Sequence, residues 1–174
     1  MSTLEHCLGA ASNPRAVFVR WLAWMFALNL AREILQVPLY TLPSAPFAFY
    51  TTYSVVHCTL GDGLIASAVY VGAGLVAGWR WPHVAPLRGL AVLLPLGFAY
   101  TAYSEWRNVY VVGAWGYDPT MPTVFGIGLS PLAQWLASPP IAVWLTRRAW
   151  AQANVTPPGS TSATSTQSRI DRSG

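Results

Sequence analysis

The sequence predicts an all-α membrane protein: a bundle of four transmembrane helices joined by short loops. Three observations lead there. Only 9% of the 174 residues are charged, against about 25% in an ordinary soluble domain. Four apolar runs approach the length of about 20 residues that a hydrocarbon core requires. Apart from the boundary arginines Arg20 and Arg88, the ionisable residues inside those runs come from three of the four and gather at one end, as expected for a bundle with a single polar layer.

Composition narrows the class further. Mean hydropathy is positive, at +0.38. The net charge of +4 comes wholly from arginine, since the chain has no lysine. These arginines stand singly or in pairs beside apolar runs, which suits membrane orientation rather than phosphate tracking, so nucleic acid is not expected as a partner. Cys7 and Cys58 fall in the N-terminal tail and inside a span, on opposite sides, so no disulfide is expected. The first fourteen residues lack Arg and Lys, so the first span is read as a retained insertion signal.

Residues 1–15 read as a polar tail ending near Asn13-Pro14, and His6-Cys7 alone is too little for a metal site. The transmembrane domain is expected over 16–150. Its first span covers 16–37, with Arg20 near enough to the start to snorkel. Asn29, Arg32, Glu33 and Gln36 follow i, i+3, i+4, i+7 spacing, so at 3.6 residues per turn they share one helical face. Such a stripe faces a partner helix or a wet cavity, not lipid. Residues 38–53, uncharged and rich in Pro and aromatics, read as an interfacial loop with Tyr40, Tyr50 and Tyr53 at headgroup depth; a lid or re-entrant piece is the rival reading.

The second span is expected over 54–78. Its early turns hold His57, Cys58 and Asp62, and Gly74 and Gly78 are spaced for close helix approach. A turn with Arg80 and His83 follows. The third span runs over 88–106, with helix continuing toward Val112. Thr101, Glu105 and Asn108 lie on one face there, with Arg107 beside them. Residues 109–122 form an aromatic, Pro-rich loop that caps this layer or closes over it as a lid. The fourth span, 123–146, carries Ser130 and Gln134 on one face, with kinks expected near Pro131 and Pro139-Pro140. Residues 151–174, rich in Ser, Thr, Pro and Gly, read as a disordered cytoplasmic tail.

Charge sets the expected orientation. The two termini and the 79–88 turn hold eight arginines, while the opposite side has only Arg32 and Arg107. The positive-inside rule then places both termini in the cytoplasm of a bacterial inner membrane. Polar residues from several helices thereby share one outward-facing depth layer. Glu105, Asp62, His57 and Glu33 form a candidate general acid/base set. Arg32, Arg107, Asn108, Asn29, Gln36 and Gln134 are the candidate substrate-binding groups, with the arginines suited to an anionic head.

The expected partners are membrane lipids, one of them a lipid or isoprenoid-like substrate, together with a membrane partner or a second copy of the chain. Cofactor identity stays open and no metal is assigned. Zincin, thioredoxin-like, P-loop and serine-hydrolase motifs are absent. The alternative is a non-enzymatic subunit or small transporter, its charges tied up as structural pairs such as Arg32 with Glu105 and Glu33 with Arg107. In general plan, four spans with His57 and acids at one end, the chain resembles the emopamil-binding sterol isomerase group. Its spacing from His57 to Asp62 departs from that group, no extended motif is shared, and membership is not assigned.

Overall fold

A computed structural model describes residues 13–41 and 47–155. Of the tails expected over 1–15 and 151–174, residues 1–12, with His6 and Cys7, and 156–174 lie outside the described residues, as do loop residues 42–46; residues 14–15 and 151–155 are helical rather than tail. Four long helices dominate: α1 (Pro14–Gln36), α2 (Phe47–Ala77), α4 (Pro86–Trp106) and α5 (Leu129–Val155), with one turn, α3 (Trp81–Val84), between α2 and α4. The all-α class is therefore shown. Among the described residues, one helical stretch, Phe49–Ala77, is by itself long and apolar enough to cross a membrane. The other three long helices carry more polar content: Arg20, Arg32 and Glu33 in α1, Arg88 and Glu105 in α4, and Gln134, Arg147 and Arg148 in α5.

Local chemistry explains the boundaries. Asn13 caps α1 by accepting from the Arg15 amide at 2.9 Å, and Pro14 occupies the first turn, where its missing N–H costs nothing. After Gln36 the chain tightens into a 3₁₀ turn containing Pro38, which cannot donate to a continuing helix. α2 starts at Phe47, seven residues before the expected position, so Tyr50 and Tyr53 are helical. It stops at Gly78, whose φ of +84° is a left-handed stop signal. The anticipated Gly74–Gly78 approach to a neighbouring helix is not what the structure shows, because the atoms nearest Gly74 belong to the Trp79 ring.

The connection after α4 shapes one end of the molecule. The helix widens to a π-helical segment over Arg107–Val112 and stops at Gly113. Two short ladders follow. β1 (Tyr40–Thr41) pairs antiparallel with β2 (Gly116–Tyr117), placing Tyr40 opposite Tyr117. β3 (Thr123–Val124) pairs with β4 (Ile127–Gly128). This hairpin occupies residues 123–128, so the fourth long helix begins at Leu129 rather than at 123. The Phe125-Gly126 turn has positive φ at both residues, as a tight two-residue hairpin demands. α5 runs through Pro139 and Pro140 to Val155.

The four long helices form a ring: α1 packs on α2 and α5, and α4 packs on α2 and α5. One end of this bundle is solidly filled. Trp21, Tyr70 and Trp81 stack with centroids 5.0–6.1 Å apart, and the Tyr70 hydroxyl donates to the Trp79 carbonyl at 2.9 Å. Two glycines let indoles lie directly on helix backbone. A Cβ at Gly89 would meet Trp81 at 2.0 Å, and one at Gly97 would meet Trp135 at 2.2 Å. The other end is splayed and polar.

Candidate functional site

At that polar end the helices enclose a cavity of about 520 Å³. Its wall takes the last turns of α1 and α4, the first half of α2 and the start of α5, with Tyr40 and Trp115 from the loops. Three of the six acidic residues in the chain line it: Glu33, Asp62 and Glu105. Helical periodicity explains the convergence, since residues three and four apart project from one stripe.

Two polar groups divide the wall. The first spans α1, α2 and α5. The Arg32 guanidinium bonds Glu33 and Gln36 on its own helix and reaches Asp62 Oδ2 at 3.5 Å. Gln36 donates to Glu33 at 2.9 Å and accepts from Ser130 at 2.9 Å. Gln134 donates to Asp62 at 2.6 Å. Here two carboxylates, one guanidinium and two amides bond one another, as buried polar groups tend to, with the guanidinium Nε alone left unpartnered within the group. The second group belongs to α4 and the β1–β2 ladder. Glu105, only 7% exposed, accepts from Tyr117 at 2.8 Å and from Tyr40 at 3.4 Å through the same oxygen. The Trp115 indole N–H also approaches Glu105, short of hydrogen-bond geometry.

The ladder register makes this second group possible. Tyr40 and Tyr117 are Cα partners, and their rings lie 5.7 Å apart, with Trp115 6.4 Å from Tyr40 in an edge-to-face arrangement. A Cβ at Gly116 would stand 2.6 Å from Thr41 Oγ1, so the close pairing needs glycine there. Burial, reinforced for Tyr40 by the neighbouring Glu105 charge, pushes both phenols above their ordinary pKa. They keep their protons across the physiological range and serve as donors.

Each candidate residue has a definite place. Glu33, Asp62 and Glu105 line the cavity, as do Arg32, Arg107, Asn108, Gln36 and Gln134. His57 also reaches it but is exposed, stacked on Tyr53 at 5.5 Å, and forms no ion pair with a carboxylate among the described residues. Asn29 is not among the lining residues. It sits one turn below Glu33, fully buried, with neither side-chain polar atom partnered. The suggested ion pairs are corrected: Arg32 pairs with Glu33 and Asp62 rather than Glu105, because α2 lies closer to its tip. Arg107 is exposed and pairs with no acid among the described residues. Asn108 turns back to its own helix, donating to the Ser104 carbonyl at 2.9 Å.

Sequence reading missed Tyr117 and Trp115 as site residues, and placed Tyr40 at headgroup depth. No periodic signal marks them, since they reach Glu105 only through a ladder between residues 75 or more positions apart. Cys58 lines the cavity as a free thiol. Among the described residues no group of three or more His, Cys, Asp or Glu side chains is arranged to hold a metal ion. No known family model, curated protein or solved structure matches the chain.

Proposed function

We propose that the four long helices cross a bacterial inner membrane with both termini cytoplasmic, and that the cavity opens outward and receives a lipid or isoprenoid-like substrate for acid/base chemistry. Lengths support the crossing, since 21–31 residues at about 1.5 Å each reach across a core of about 30 Å. Exposure supports it too. Ile34 and Leu35 on α1, Leu60 and Leu75 on α2, Leu87 and Leu96 on α4, and Leu136 and Trp144 on α5 are all exposed, an apolar surface of the kind that marks membrane or partner contact. Among the described residues, the arginines outside the cavity cluster at the filled end, in keeping with positive-inside topology.

The observation that carries the chemistry is Glu105: a buried carboxyl group on a cavity wall, held by two phenols and opposed by no cation within ion-pair distance among the described residues. Glu33 and Asp62 are already engaged by Arg32, Gln36 and Gln134, which leaves Glu105 as the acid best able to exchange a proton with a bound molecule. A structural role for the Arg32 group stands beside this, because its members bond one another and tie α1 to α2 and α5.

The test incubates purified protein with bacterial lipid extract and compares lipid species by mass spectrometry. Conversion by the native chain, lost in Glu105→Gln while that variant still accumulates, is the expected result. No conversion by the native chain, with loss of accumulation in both Glu105→Gln and Asp62→Asn, would instead establish the non-enzymatic reading. Reporter fusions after Ala151 and within the Asp118 loop test topology, and an outward C-terminus overturns the orientation.

A further inference from the structure

We infer that the Glu105 corner of the cavity receives an organic ammonium group, and that with Arg107 it selects a zwitterionic phospholipid headgroup over an anionic one. This inference rests on the lipid-binding reading above and specifies the headgroup. Three features of the corner lead to it. Glu105 is a buried carboxyl group that accepts hydrogen bonds from two phenols and has no cation within ion-pair distance among the described residues.

Around it stand three aromatic rings set at steep angles to one another, with Tyr40 at 55° to Tyr117 and 85° to Trp115. Tyr40 and Trp115 line the cavity together with Glu105, and aromatic rings next to a carboxylate are what recognise ammonium cations. The third feature is Arg107, two residues further along the same segment. It lines the cavity, is exposed, and makes no ion pair among the described residues.

An ammonium group at Glu105 therefore has a free guanidinium nearby to take the phosphodiester of the same headgroup. The Arg32 side of the cavity cannot play this part, because Glu33 and Asp62 already neutralise its guanidinium. A purely anionic head would gain Arg107 but would face Glu105 with like charge.

Native mass spectrometry of the detergent-purified full chain, titrated with dioleoyl phosphatidylethanolamine, phosphatidylcholine and phosphatidylglycerol, tests the inference. Preference for either amine-bearing lipid over phosphatidylglycerol by about fivefold or more is expected. Glu105→Gln should bring that ratio close to one, and Arg107→Gln should weaken all three lipids alike. Should Glu105→Gln fail to fold, Trp115→Leu keeps the carboxyl group and must still lower the ratio. Equal or tighter phosphatidylglycerol binding, or a ratio unchanged by these substitutions, overturns the headgroup assignment while leaving a lipid site in place. Absence of stoichiometric binding of any of the lipids removes the lipid-binding reading itself.

Discussion

Tyr117→Phe removes one hydroxyl and leaves the ring in place against Tyr40 and Gly128. It deletes the shorter of the two hydrogen bonds to Glu105, 2.8 Å against 3.4 Å for Tyr40. A buried hydrogen bond contributes about 1 kcal/mol net, rising to about 1.5–3 kcal/mol when one partner is charged. The expected loss is therefore about 1–2 kcal/mol, which at about 2–4 °C per kcal/mol lowers the melting temperature by about 2–8 °C. Tyr40→Phe should cost less than half as much, because its bond is near the distance limit where such interactions weaken.

Thermal unfolding in detergent, run as a double-mutant cycle with Glu105→Gln, separates the bond from general packing. The coupling with Tyr117→Phe should reach about 1 kcal/mol, well above the few tenths expected of independent sites. A coupling near zero, or equal losses from Tyr40→Phe and Tyr117→Phe, would refute the account of how Glu105 is held.

Two further outcomes follow from the packing and the electrostatics. Gly97→Ala would place a Cβ 2.2 Å from the fully buried Trp135 and should destabilise by about 1–3 kcal/mol through overpacking. Gly63→Ala, with its nearest atom 3.8 Å away, should instead stabilise by up to about 1 kcal/mol through helix propensity; thermal melts of both variants check the contrast. Burial and then the neighbouring Arg147, Arg20 and Arg80 hold His83 below its ordinary pKa. The unfolded chain then binds more protons than the folded one as pH falls through about 6.5, so His83 contributes stability that is lost on acidification. The melting temperature of the native chain should fall more than that of His83→Gln between pH 7.5 and 5.5, and parallel curves would contradict this placement.

The polar stripes were legible because helical periodicity is a one-dimensional property. Asn29–Gln36 on α1, Cys58–Asp62 on α2 and Thr101–Asn108 on α4 could each be assigned a shared face by counting residues, and members of all three stripes line the cavity. The same counting could not tell which members line it. Asn29 shares the stripe yet lies one turn too deep. His57, about 100° around α2 from Cys58, reaches the rim exposed and stacked on Tyr53.

Partner choice was beyond the sequence for a different reason. Whether Arg32 meets Asp62 or Glu105 depends on the ring order of the helices, and that order is set by which surfaces pack closely, as at Gly97 against Trp135. The aromatic residues of the two connections were visible as composition only. Their register, Tyr40 opposite Tyr117, comes from backbone pairing across more than seventy residues, and no local pattern encodes it.

By itself, the sequence determined the all-α class, the shared helical faces of the polar residues and the gathering of acids toward one end of their helices, because each follows from residue type and spacing along a helix. Tertiary structure alone decided that the acids divide into a mutually bonded group around Arg32 and a separate carboxyl group, Glu105, held by phenols. That division arises from contacts between segments distant in sequence, whose energies depend on distance and burial that a linear pattern does not carry.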